Sequence, residues 1–198
     1  MFATFFRGLR ILRRPELVRR LGELMAAEAE IDAIRRANPG AVISSDAVID
    51  GWRDGKLELA PQSHIERGTL LNLGDRHNGF GTIAIGARTW IGPYNNLRLG
   101  GGATIRIGEG CLVSQFCSII GANHTIARDV KITEAPAAAE PRDVIIGNDV
   151  WLGAGVTVLP GVSIADGAVI GAGSIVTASV GAYEIWVGNP ARKSGERR

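Results

Sequence analysis

Histidine, cysteine and aromatic residues are scarce in this chain of 198 residues: three histidines, two cysteines and 6% Phe, Trp and Tyr. Charge of one sign is lacking too, since 22 Lys and Arg stand against 20 Asp and Glu. A net charge of +2 is too mild to make the whole molecule a nucleic-acid binder. The start of the chain has no apolar run free of arginine for long enough to serve as a secretory signal, so a cytoplasmic protein is expected. Cys111 and Cys117 lie six apart, each four residues after an aliphatic of the local repeat (Ile107 and Val113). That placement makes them small inward-facing core residues rather than a redox pair or an acyl-carrying thiol.

What the sequence does have is a period of six. From Ile146 the aliphatics Ile146, Leu152, Val158, Ile164, Ile170 and Val176 recur without a miss. At 45% apolar composition, six hits in phase arise by chance about once in a hundred, and neither the helical nor the strand period gives this spacing. Residues four further on (Val150, Val156, Val162, Ala168, Ser174, Val180) form a second inward row. The residue after each aliphatic is usually small (Gly147, Gly153, Ala165, Gly171), as expected at a corner with tight or left-handed backbone. The pattern predicts a parallel β-helix with triangular coils. Uncharged stretches between Asp149 and Asp166, and between Asp166 and Glu184, therefore read as solenoid coils and not membrane spans.

Three segments are expected: a helical segment over residues 1–40, a β-helix over 41–190 with a loop inserted at about 125–143, and a C-terminal tail over 191–198. Asn38, Pro39 and Gly40 form the helix stop. A weaker hexad phase follows at Val42, Val48, Leu59, Ile65 and Leu71, interrupted by a turn at Trp52–Gly55. It returns at Ile85, Ile91 and Leu97. Gly100, Gly101 and Gly102 then shift it, which predicts a bulged corner or a backbone approached closely. After Ile107, Val113 and Ile119 the pattern stops beyond His124 and resumes at Ile146. An excursion of that length in a compact fold reads as a lid or binding loop.

With the hexads, a histidine followed by a loop, Trp151 opening a new run of coils, and the ending Gly188-Asn189-Pro190-Ala191-Arg192 all in chain order, the sequence resembles the left-handed β-helix acyltransferases. The likeness is greatest to the branch acetylating sugars: maltose, galactoside and nodulation-factor acetyltransferases and the O-acetyltransferases of surface-polysaccharide clusters. It covers about Ile83 to Lys193 and is most specific from Ile146 to Arg192. The resemblance implies left-handed coiling, a homotrimer with active sites between neighbouring prisms, and acetyl-CoA as donor to a sugar hydroxyl without a metal. His124 stands where the family's catalytic histidine stands, and a neutral imidazole suits a base at cytoplasmic pH. Asp75, Asp129 and Glu134 are the candidates for orienting it.

For coenzyme A, the resemblance implies Trp151 beside the cleft, Ala154, Ala172 and Thr177 against the pantetheine arm, and Arg192 with Lys193 at the nucleotide phosphates. Tight corners at the two alanines, a solvent hydroxyl at Thr177 and a solvated tail charge at Arg192 are the alternatives. Asn95 and Asn96 match positions that bind the acceptor sugar, against the alternative of an asparagine ladder or turn. A three-histidine metal site on the same prism is disfavoured, because His64, His77 and His124 are separated by 13 and 47 residues and include no close pair. Acylation of a nucleotide amino sugar and a non-catalytic assembly subunit remain open.

Before Met25 lie six arginines (Arg7, Arg10, Arg13, Arg14, Arg19, Arg20) and two glutamates, a local net of +4. Phe2, Phe5, Phe6, Leu9 and Leu12, then Leu17, Leu21 and Leu24, punctuate them at helical intervals, with a break near Pro15. This amphipathic stretch is expected to cap the first coil or to lie on an anionic membrane surface, or to divide the two tasks along its length.

Overall fold

The computed structural model describes residues 14–135 and 142–198. The aromatic and basic residues of the first thirteen positions, and the centre of the inserted loop at 136–141, lie outside the described residues. The rest is one helix followed by a left-handed parallel β-helix with three faces.

Face one stacks the strands Val42–Ile43, His64–Ile65, Trp90–Ile91, Leu112–Val113, Trp151–Leu152, Val169–Ile170 and Glu184–Gly188 in parallel. Face two holds Val48–Asp50, Leu70–Asn72, Asn96–Leu99, Ser118–Gly121, Thr157–Val158 and Ile175–Val176. Face three holds Lys56–Leu59, Thr82–Ile85, Thr104–Ile107, Val144–Ile146 and Ser163–Ile164. The predicted core rows are correct from Leu59 onward. Ile146, Leu152, Val158, Ile164, Ile170 and Val176 are no more than 1% exposed, and the second row from Val150 to Val180 is buried beside them. Both cysteines point inward, Cys111 Sγ lying 3.1 Å from Gly147 O and Cys117 Sγ 3.2 Å from Gly153 O. Burial pushes both thiols up, consistent with inert core groups.

Four expectations need correction. In the first coil the inward residues are Ile43 and Ile49, while Val42 and Val48 are half exposed. A one-residue slip reverses the faces of a strand. Second, the left-handed backbone lies three residues after each aliphatic, not one: Asp149, Gly155, Gly161, Gly167 and Gly173 have positive φ. The small residue one after the aliphatic is required by close stacking, since a Cβ on Gly153 would meet the backbone of Ala172 in the next coil at 2.6 Å. Third, the tail is part of the solenoid. Ala191–Glu196 pairs antiparallel with Glu184–Gly188, and Arg197 ties down to the Asp149 carboxylate at 2.9 Å and to Gly167 O.

The fourth concerns the helix, α1, Pro15–Ala37, which starts at the proline as an N-terminal position that needs no donor. It caps the prism only with its last turns, through Ile31 and Ile34. Asn38 secures that end: its Nδ2 donates to Ile34 O, and its Oδ1 accepts from Leu59 N at 2.9 Å. The predicted stripe Leu17, Leu21 and Leu24 remains exposed, together with Val18 and Met25.

Candidate functional site

At the corner between faces two and three the strand Ser118–Gly121 runs out and the chain leaves the prism. Gly121 is buried there, where a Cβ would press on Leu99, and three residues later His124 stands exposed. Its backbone N–H donates to Asn123 Oδ1 at 3.0 Å. Among the described residues the imidazole makes no hydrogen bond. The three acids considered as its orienting group are placed otherwise. Asp75 accepts from the backbone N–H groups of Asn78 and His77, and the Asn78 amide chiefly holds its carboxyl below the usual range. Glu134 pairs with Lys131 at 3.0 Å, and Asp129 is exposed in the loop.

The loop is anchored at its return. Arg142 Nη2 donates to Gly101 O at 2.7 Å, and the Asp143 carboxylate accepts from Thr104 N at 2.7 Å. A Cβ on Gly101 would overlap the Arg142 guanidinium, so the glycine cluster is indeed a backbone approached closely, with Gly101 and Gly102 both at positive φ. Ahead of this return the loop exposes Ile126, Val130 and Ile132. The hairpin formed by Gly74–Asp75 and Gly79–Phe80, which carries His77, stacks on Gly101 and Gly102 at the same corner. His64 sits apart on face one, and among the described residues no three His, Cys, Asp or Glu side chains converge on a point.

The residues matched to coenzyme A fall on different edges. Ala154 and Ala172 are stacked at the corner between faces one and two, where Gly173 N donates to Ala154 O at 2.8 Å. Trp151 projects from face one, half exposed, with its indole N–H 3.4 Å from Ser114 Oγ. Thr177 is exposed but follows the strand Ile175–Val176 on its opposite side. Arg192 is exposed in the last strand and donates to its own Ala191 carbonyl. Lys193 bridges Glu184 and Glu196, so its charge is compensated within the chain. A groove of about 770 Å³ on face three, lined in part by Asn38, Glu58, Arg106 and Asn148, includes none of the catalytic, coenzyme A or acceptor residues expected from sequence.

The Lys193 contact first, then the N–H of Gly181 and the Trp186 indole, hold the Glu184 carboxyl down to about 2. A depressed carboxyl stabilises the hairpin fully above its ordinary pKa near 4.5, and that contribution is lost as the pH falls through about 2. Acid titration followed by tryptophan fluorescence is expected to show a transition between those values in the native chain that is smaller in Glu184→Gln, where the indoles of Trp52 and Trp90 still donate to Glu30 and Glu66.

Asn95 and Asn96 do not act together. Asn95 is 1% exposed and turned inward: its Nδ2 donates to Gly92 O at 2.7 Å and its Oδ1 accepts from Cys117 N at 2.6 Å. It joins two coils and cannot meet a sugar, so the ladder alternative holds for this residue. Asn96 faces outward from face two, and its Oδ1 is buried with no hydrogen-bond partner among the described residues. Sequence reading passed over Tyr94 and Phe116, whose rings stack at 5.6 Å and 9° with Arg67 over the Tyr94 ring. The signal was present, because Phe116 stands three after Val113, where later coils carry glycine.

Residues 143–178 match the family described as bacterial transferase hexapeptide (six repeats). No curated protein matches the chain. Among solved structures it is similar to AntD, an N-acyltransferase from Bacillus cereus in complex with dTDP and coenzyme A, at 22% identity over 84% of this chain and 89% of that one, with a TM-score of 0.68. The polySia-specific acetyltransferase NeuO matches at 24% identity over 79% and 66% of the two chains, TM-score 0.61. A maltose O-acetyltransferase from Clostridium difficile matches at 21% over 95% and 88%, TM-score 0.52. Coils, core rows and repeat together make the chain a left-handed parallel β-helix of hexapeptide repeats, of which residues 143–178 match that family.

Proposed function

We propose that the chain is an acyl-CoA-dependent acyltransferase that moves an acetyl group to a sugar hydroxyl with His124 as general base. The carrying observation is His124 itself, exposed at the root of a loop whose return is pinned, on a scaffold of transferase hexapeptides. The acceptor oxygen attacks the thioester carbonyl, the imidazole takes the hydroxyl proton, and the C–S bond breaks as that proton passes to the leaving thiolate. Backbone N–H groups at a coil corner are the simplest donors to the oxyanion. AntD supports a second reading in which the acceptor is the amine of a nucleotide sugar, since the same base serves an amine.

Two measurements test the proposal. Acetyl-CoA at 100 times its dissociation constant is expected to stabilise the fold by about 2.7 kcal/mol in thermal unfolding. Free thiol released from acetyl-CoA is then followed with hydroxyl and amino-sugar acceptors in parallel. Absence of both a shift and turnover would favour a non-catalytic assembly subunit.

A homotrimer accompanies this reading. The outward row of face one runs in register through Val42, His64, Trp90, Leu112, Trp151, Val169 and Ile185, apolar at every position but one. An exposed apolar band of this kind is suited to burial against another copy. Light scattering at micromolar concentration checks it, a monomer being the contrary result. Among the described residues no helix is long and apolar enough to cross a membrane. The exposed stripe of α1 supports peripheral contact with an anionic cytoplasmic leaflet, for which the expected outcome is pelleting with anionic vesicles at low salt.

A further inference from the structure

The positive-φ column at the corner between faces one and two reads Gly68, Tyr94, Phe116, Gly155 and Gly173 in successive coils, linked by hydrogen bonds from Tyr94 N to Arg67 O, Phe116 N to Pro93 O, Gly155 N to Gln115 O and Gly173 N to Ala154 O. Glycine meets the backbone requirement of this corner without cost, as the other three coils show. Bulky aromatic residues with φ of 58° and 60° are disfavoured there, and both rings are held in water, Tyr94 47% and Phe116 62% exposed. Neither ring contributes to the core. The pair is nevertheless ordered as a parallel stack whose lower end is closed: a Cβ on Gly68 would run into the Tyr94 ring, and Arg67 lies over that ring at 5.7 Å. The upper end is open. A Cβ on Gly155 would have nothing within 4 Å, and the same is true of Gly173.

We propose that Phe116, backed by Tyr94, is a stacking platform for a nucleobase, which lies on the open face of Phe116 in the rung left vacant at Gly155. Stacked rings settle with centroids 4.5–7 Å apart, about one coil spacing, so a third flat ring continues the column without displacing the chain. Two residues beyond Gly155, on the rung proposed for the base, Thr157 stands in register with Ser118, and the two hydroxyls are suited to the polar edge of a base. The proposal rests on the acyl-CoA reading above, in which both sources of a base are nucleotides: the adenine of the donor, or the base of a nucleotide-activated acceptor.

Calorimetric titration of the full chain with coenzyme A and ADP in one arm, and dTDP and UDP in the other, identifies the source. Phe116→Gly restores the residue that the column uses elsewhere. Its thermal midpoint is therefore expected to be equal to or above that of the native chain, while affinity in one arm falls roughly 5- to 150-fold, the effect of losing one stacked base. Phe116→Tyr is expected to keep affinity within about twofold. Unchanged affinity in both arms for Phe116→Gly, with acetyl transfer intact, would overturn the platform and leave the acyltransferase standing. A change of oligomeric state in Phe116→Gly, or a loss confined to saccharide acceptors lacking a base, would overturn it as well. A native chain that binds no coenzyme A would instead overturn the acyltransferase, and the platform with it.

Discussion

His124→Ala is expected to leave the β-helix folded and to lower acyl transfer by about 10²- to 10⁴-fold, the usual worth of a general base. The side chain is exposed, and among the described residues only its backbone N–H is hydrogen bonded, to Asn123. Its removal therefore opens no cavity and strands no buried group, and a surface substitution of this kind changes stability by about 0.5 kcal/mol or less. The two readouts separate cleanly: turnover with the productive acceptor collapses while the urea midpoint stays in place. Native turnover in the purified variant would reassign the base. The orienting group is the other half of this test. Asp129→Asn and Glu134→Gln, assayed beside it, lower turnover without changing the urea midpoint only if that carboxylate reaches the imidazole in the working assembly.

The second large effect is on stability. Asn95→Ala removes a donor to Gly92 O and leaves the buried Cys117 N–H without its acceptor, in addition to opening space in the second inward row. Gly92 O keeps the Thr69 hydroxyl at 2.8 Å, so the dominant cost is the unpaired N–H together with the lost packing. A loss of about 2–4 kcal/mol is expected in urea unfolding. Asn96→Ala, outward on face two, is expected to change stability far less. A reversed order, or an Asn95→Ala variant with native stability and a raised KM for the sugar, would return Asn95 to the acceptor site.

Asn95 also shows where the reading from sequence ran short. Its neighbours in the same inward row are Thr69 and Cys117, both buried, and in the row that precedes face one the buried Thr89 likewise serves the next coil, donating to Gly108 O and accepting from Cys111 N. Polar side chains bonded to backbone in this way are a vertical ladder. Its bonds between coils join residues 19 or more apart in the chain, so nothing local marks such an asparagine as internal. His124 was legible for the opposite reason. It stands where a strict period fails, and the interruption of a repeat is visible without knowledge of what stacks on it. The Arg142 anchor to Gly101 was half legible: the glycine cluster announced a close approach, but the approaching residue comes from 41 positions later.

The six-residue period by itself determined the three-faced coil, both inward rows from Leu59 on, the inward cysteines and the place where the loop departs, because each follows from which side of a short strand a residue takes. The stacking of one coil on the next decided the rest. It set the first-coil register at Ile43 and Ile49 against Ile65 and Leu71, and it made the tail a strand by pairing Ala191–Glu196 with the last coil. It also buried Ile31 and Ile34 while leaving Leu17, Leu21 and Leu24 in water, since only the final turns of α1 reach the open end of the prism. Helical spacing specifies which residues share a face, whereas burial depends on how much of that face finds a partner, and that is a property of the folded prism alone.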